Sequence, residues 1–263
     1  MPLRGGAVGE NDGFEEFSND ISSIPDGVQT AYNYTTSDSK LIHADFEVTS
    51  GDVVANIPGS VITIGNTAFM DDNFITSVIM PDSVTSIEDG QFSYPGSSSN
   101  QGAFAQCPSL RNIVFSSNLT TIGTYAFGDC TALSELSISE GITHIGAAAF
   151  IYCSALTTLA LPTTLYGIYP KAFLGCSALT TLLLSHTQVN WINNDAFMEC
   201  SSLTTLTLPV SLTRIGSGAF TDCDSLTDIY YTGTQQQYEA IQGISNCGFK
   251  GTETIHYNYT PAE

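Results

Sequence analysis

Apolar positions recur along this chain with a long period, not with the short period of a single helix or strand. Starting from the Ile of each recurrence, the segments read IGNTAF (64–69), IEDGQF (87–92), IGTYAF (122–127), IGAAAF (145–150), IYPKAF (168–173), INNDAF (192–197) and IGSGAF (215–220). The closing Phe residues fall at 69, 92, 127, 150, 173, 197 and 220, in steps of 23 broken by one of 35 and one of 24. A Cys follows three residues after the Phe at Cys130, Cys153, Cys176, Cys200 and Cys223. Leu133, Leu156, Leu179, Leu203 and Leu226 come next, then short runs such as TLAL, TLLL and TLTL. A fixed period of this length means stacked supersecondary units, none of which buries its apolar face alone.

Each unit has a physical reading. The alternation Leu206-Thr207-Leu208 predicts a strand with two side chains inward and one outward. Pro162 and Pro209 end the strand and turn the chain. The three-residue spacing in Ala-Phe-x-x-Cys predicts a helical turn with Phe and Cys on one face. Seven turns, with parallel strands about 4.8 Å apart, would stack to roughly 35 Å. The predicted fold is a repeat solenoid of the leucine-rich kind: stacked parallel β-strands with short helical turns, capped at both ends.

The pattern divides the chain. Residues 1–31 are acidic and rich in Gly, Ser and Asn, as expected of a flexible leader. A strand-rich N-terminal cap is expected over 32–56, the solenoid over 57–231 and a C-terminal cap over 232–263. Within the solenoid, SYPGSSSNQGA (93–103) is a twelve-residue excess once Phe104 is counted. Turn formers dominate it, so it should bulge out as a loop. Either Phe92 or Phe104 suits the core position of that turn.

The consensus L-x-x-L-x-L-P followed by I-G-x-x-A-F-x-x-C-x-x-L closely resembles the BspA-like, treponemal-type leucine-rich repeats, over about residues 57–231. The segments 32–58 and 230–258 resemble the strand-rich start and closing cap of such proteins. The resemblance implies an extracellular or cell-surface interaction protein, often an adhesin. It implies no catalytic residues.

Composition narrows the partners. Six bases oppose 26 acids in 263 residues, a formal charge of -20. Such a surface repels phosphate backbones and anionic membranes, so no nucleic acid partner is expected. No apolar stretch approaches the roughly 20 residues of a membrane helix. The start, MPLRGGAVGENDGFEEF, holds no hydrophobic run that would serve as a signal peptide. Either export does not use that route or the signal has been removed.

Candidate chemistry is sparse. The seven cysteines form no C-x-x-C or C-x-x-H pair, so no metal site is expected. Disulfides between adjacent turns are geometrically conceivable. A buried ladder of small thiols accounts for six of the seven, with Cys247 the odd one out. His43, His144, His186 and His256 are far apart, and no nucleophile elbow, phosphate loop or H-E-x-x-H occurs. No enzyme and no cofactor are expected.

The outward columns are more telling. One reads Ser77, Asn112, Glu135, Thr158, Thr181, Thr205, Asp228, and the next Ile79, Val114, Ser137, Ala160, Leu183, Thr207, Tyr230. In a solenoid these lie side by side on the concave sheet, the usual binding surface. A further column reads Thr63, Ser86, Thr121, His144, Gly167, Trp191, Arg214. Trp and Arg are enriched in binding hot spots. The sequence thus points to a binding module that recognises a protein or glycan partner through the concave sheet. The candidate residues are Thr158, Thr181, Leu183, Thr205, Thr207, Asp228 and Tyr230, with Trp191 and Arg214 beside them. A structural or self-assembling unit is the alternative.

Overall fold

The computed structural model describes residues 32–46, 52–94 and 96–260, so the expected leader over 1–31 lies outside the described residues. The described residues open in an antiparallel hairpin, β1 (Tyr32–Ser37) and β2 (Lys40–Phe46). Thereafter long and short strands alternate. The long strands begin with β3 (Val53–Asn56), β5 (Ile75–Ile79), β7 (Asn112–Val114) and β9 (Glu135–Ser137). They continue with β11 (Thr158–Ala160), β13 (Thr181–Leu183), β15 (Thr205–Leu208), β17 (Asp228–Tyr231) and β18 (Thr254–His256). The short strands end on the repeat Ile: β4 (Thr63–Ile64), β6 (Ser86–Ile87), β8 (Thr121–Ile122) and β10 (His144–Ile145). β12 (Gly167–Ile168), β14 (Trp191–Ile192) and β16 (Arg214–Ile215) complete them.

The short strands join the hairpin in one nine-stranded sheet, ordered β1-β2-β4-β6-β8-β10-β12-β14-β16. Apart from β1 and β2, its neighbours are parallel and in register, Ile145 opposite Ile168 and Ile168 opposite Ile192. The long strands form three parallel ladders, β3-β5-β7, β9-β11 and β13-β15-β17-β18. Gln242 bridges to Arg214 and carries the short-strand column one step further. Counting β2 and this bridge, the solenoid has about nine turns instead of the seven expected. The two extra turns lack the repeat motif, which is why the sequence hides them.

Between the two strands runs the Ala-Phe-x-x-Cys segment, and here the structure corrects the expected helical turn. Two residues per repeat take left-handed backbone angles. One precedes the Phe by two (Tyr125 φ 55°, Ala148 φ 53°, Lys171 φ 61°, Asp195 φ 56°), and one follows it by two (Asp129 φ 60°, Tyr152 φ 56°, Glu199 φ 63°). This alternation leaves only isolated three-residue turn bonds, such as Gly128 to Tyr125 and Cys130 to Phe127, and aims the intervening amides along the solenoid axis. Tyr125, Phe127 and Asp129 donate to the carbonyls of Ala147, Ala149 and Ile151 in the next turn, and the pattern repeats at Ala148, Phe150 and Tyr152. The third face is therefore a hydrogen-bonded ladder like the other two, without being a sheet.

The core is built of columns. The rings of Phe69, Phe104, Phe127, Phe150, Phe173, Phe197, Phe220 and Phe249 stack in sequence, with centroids 4.6 to 5.5 Å apart. That spacing is the strand spacing, so the rings stack as offset pairs, the favoured aromatic geometry. Phe104, not Phe92, fills the turn that the sequence left open. Phe92 instead packs on Tyr125 outside, under Lys171.

The seven cysteines are free and buried. In six of them the thiol donates to the carbonyl of the Phe one turn back, Cys130 to Phe104 at 3.0 Å and Cys176 to Phe150 at 3.4 Å among them. Burial in this column pushes the thiols above their usual range, Cys223 up to about 12. Cys247 is odd only by sequence. Its carbonyl accepts from Phe220, the role Ala219 plays toward Phe197, so it fills the Ala position of the last turn.

The insertion after Asp89 is ordered by its own bonds. Gln91 and Gln101 pair as an antiparallel bridge at its neck. The buried Asn100 accepts from the Ser93 amide and donates to the Tyr94 carbonyl.

Candidate functional site

Inward positions of every long strand are occupied by the core, so recognition is left to the outward columns. The register places those columns as the sequence predicted. Thr181 faces Thr205 and Thr205 faces Asp228, while Leu183 faces Thr207 and Thr207 faces Tyr230. Thr158 belongs to the neighbouring ladder, opposite Glu135.

Accessibility then separates the candidates. Thr158 and Thr181 are exposed, Leu183 is 46% exposed, and Thr205 is half-buried. Thr207 departs from its column: it is only 2% exposed. The amides of Leu184 and Ser185 both donate to its hydroxyl, at 2.9 and 3.0 Å. The rung holding Leu184 is the one with 24 residues, and its extra chain folds onto Thr207. This residue is a structural acceptor, not a contact position.

Asp228 and Tyr230 are committed to the C-terminal cap. His256 donates from Nε2 to Asp228 Oδ1 at 2.9 Å and Thr227 donates to Oδ2 at 2.8 Å. These bonds hold the Asp228 carboxyl below its ordinary value, the His256 contact most of all. The Tyr230 ring is stacked on His256 at 4.3 Å and packed against Tyr259 at 4.9 Å. At the other end of the same face, Ile79 and Val114 are paired in register and are 42% and 56% exposed. Of the candidates on the long-strand face, Thr158, Thr181 and Leu183 are thus the exposed ones, with an apolar pair at Ile79 and Val114.

The short-strand face carries the Trp191 column, and here the structure gathers residues that sequence reasoning did not connect. In register across this sheet lie His144, Gly167, Trp191 and Arg214. Trp191 leans over Gly167, away from Arg214. A Cβ on Gly167 would stand 2.2 Å from the indole Cζ2. His144 meets Trp191 across this gap at 5.6 Å. Tyr169 stands edge-on to Trp191 at 5.1 Å and to His144 at 6.0 Å, and Tyr166 edge-on to His144 at 5.9 Å. The signal was available. Tyr169 replaces the Gly that follows the repeat Ile in four of the seven recurrences, Gly65, Gly123, Gly146 and Gly216.

Two grooves flank these rings. One, of about 360 Å³, is walled by His144 and Tyr169 with Asp89, Thr121 and Thr143. The other, of about 370 Å³, is walled by Trp191 with Asn193, Thr213, Arg214 and Gln242. Among the described residues Arg214 has no carboxylate within ion-pair distance, unlike Lys40, Arg111 and Lys250, which pair with Glu88, Asp52 and Asp224. Among the described residues no group of three or more His, Cys, Asp or Glu is placed to hold a metal. No helix among them is long and apolar enough to cross a membrane.

The comparisons with known proteins agree with this architecture. The family described as BspA type leucine-rich-repeat region matches in six copies, over residues 46–101 and 97–227. No curated protein matches the chain. A solved leucine-rich-repeat protein of T. pallidum is 24% identical with a TM-score of 0.59, over 84% of this chain and 94% of that chain. A leucine-rich-repeat protein from Bacteroides ovatus is 20% identical with a TM-score of 0.45, over 86% of this chain and 76% of that one. The treponemal likeness shows a common fold. With the repeat profile spanning most of the sequence and the solenoid in place, the chain belongs to the BspA-type leucine-rich-repeat family.

Proposed function

We propose that this chain is a non-catalytic binding module of cell-surface, adhesin-like type, which recognises a protein or glycan partner through the long-strand face. The observation that carries the reading is the exposure of Thr158 on one ladder and of Thr181 and Leu183 on the next, outward from a fully packed core. A rigid sheet presents such side chains with little ordering entropy left to lose on binding. Exposed apolar side chains on a sheet, as at Ile79, Val114 and Leu183, are typical of contact surfaces. The charge of -20 favours partners without dense negative charge.

The test is capture from extracellular-matrix and cell-surface extracts, run with the parent chain beside a Thr158→Glu/Thr181→Glu/Leu183→Glu variant. Thr207 stays unchanged because its burial would confound the result. Capture by the parent and loss in the variant is the expected outcome. Equal capture by both would move recognition off this face. A second reading, self-assembly, is favoured by the exposed Phe74 just before β5 and by Ile79 and Val114 on β5 and β7. Sizing at rising concentration decides it, because a strict monomer removes that reading.

A further inference from the structure

We propose that the ring cluster on the short-strand face is a second site, a platform for uncharged oligosaccharides. It is separate from the long-strand surface and does not depend on that reading. Tyr166 and Tyr169 are 44% and 42% exposed, flanking an Ile168 that is fully buried. Tyr and Trp present a flat apolar body with a polar tip, suited to the apolar face and hydroxyl rim of a pyranose ring. Gly167 is what seats Trp191: the indole lies over bare backbone, pinned between His144 and Tyr169. A ring fixed in this way has little rotamer freedom left to lose on binding.

The surroundings narrow the ligand. Each groove places an aromatic wall beside hydroxyl or amide groups and one charged group, the acceptor Asp89 in one and the donor Arg214 in the other. Their volumes fall in the range of about 300–1,000 Å³ usual for ligand sites. Neither groove clusters one sign of charge, and the chain as a whole repels anions, so the fit is to an uncharged polyhydroxyl ligand. An added peptide strand is disfavoured because β10, β12 and β14 are each paired on both sides and offer no free backbone edge. From Thr121 to Gln242 the column makes five steps of about 4.8 Å, roughly 24 Å in all, which suits several linked sugars better than one.

Trp191 is the only tryptophan, so intrinsic fluorescence reads this platform directly. The chain is titrated with gluco-, manno-, galacto- and xylo-configured oligosaccharides and with N-acetylglucosamine oligomers. At least one should give a saturable shift of Trp191 emission, undiminished in the Thr158→Glu/Thr181→Glu/Leu183→Glu variant. Tyr169→Ala should weaken binding by about tenfold or more, the size of a hot-spot truncation. Gly167→Ala should weaken it comparably, because it unseats the indole while leaving every ring present. Circular dichroism confirms that both variants are folded, and calorimetry measures affinity independently of the emission. Absence of any saturable response into the millimolar range would overturn the proposal. So would undiminished affinity in both platform variants, or a response confined to carboxylated or sulfated sugars.

Discussion

Phe150→Ala tests whether the aromatic stack couples the two halves of the solenoid. Phe150 is fully buried, with Phe127 at 5.2 Å on one face and Phe173 at 5.4 Å on the other. Truncating a core Phe to Ala costs about 3–5 kcal/mol, the larger values where the surroundings cannot collapse into the space. Collapse is blocked here, since both neighbouring rings are held in the same stack by further rings beyond them. We therefore expect about 4–5 kcal/mol, a large share of the roughly 5–15 kcal/mol that stabilises a typical domain. In a one-dimensional array this loss falls on the interfaces of a single turn, and cooperativity across it should fail. The assay is urea unfolding followed by two probes, Trp191 fluorescence for the C-terminal turns and far-ultraviolet circular dichroism for the whole chain. The two transitions should coincide in the parent and separate in the variant. A variant that lost less than about 1 kcal/mol, with coincident transitions, would refute the coupling role of the stack.

Two further outcomes follow from the fold. Thr207→Val keeps the side-chain shape but removes the acceptor of the Ser185 amide and one of the acceptors of Leu184. It should cost about 1–3 kcal/mol in thermal denaturation, and a neutral result would mean that water replaces the hydroxyl. Alkaline pH should unfold the chain through its thiols. Burial raises the folded values from an ordinary 9.0, to about 12 for Cys223 and about 11 for Cys247. The native state then holds protons that the unfolded chain releases, so this stability is complete below pH 9.0 and is lost as pH climbs through the folded values. Melting temperature against pH reads it, and a flat profile from 9.0 to about 11 would contradict the burial of the column.

The parts of this structure that were legible in the sequence are those fixed by burial alone. Ile64, Ile122 and Ile168 recur because each must fill the same slot against its neighbours, and Phe and Cys recur for the same reason. What stayed hidden depends on backbone geometry. Tyr125, Ala148, Lys171 and Asp195 carry left-handed angles without being glycine, so the Ala-Phe-x-x-Cys spacing imitated a helical turn. The burial of Thr207 depends on where one extra residue goes in the preceding rung, which no column comparison reveals. The choice between Phe92 and Phe104 depended on which end of the insertion rejoins the stack, and the bridge between Gln91 and Gln101 closes it before Phe104. The ring cluster was missed because the columns were read one at a time, while Tyr166 and Tyr169 reach it from positions flanking β12.

The opening hairpin has a consequence for colloidal behaviour. A stack of parallel strands offers its first strand as a template for the last strand of another copy, and end-to-end growth into filaments is the hazard of every open sheet. Here β1 runs against β2, so the short-strand sheet begins with a strand of reversed polarity. An incoming copy would meet a hydrogen-bonding pattern that does not continue its own. Among the described residues, Tyr32–Phe46 thus closes the short-strand sheet on a strand of mismatched polarity, whereas the ladder of β3, β5 and β7 begins on a parallel strand.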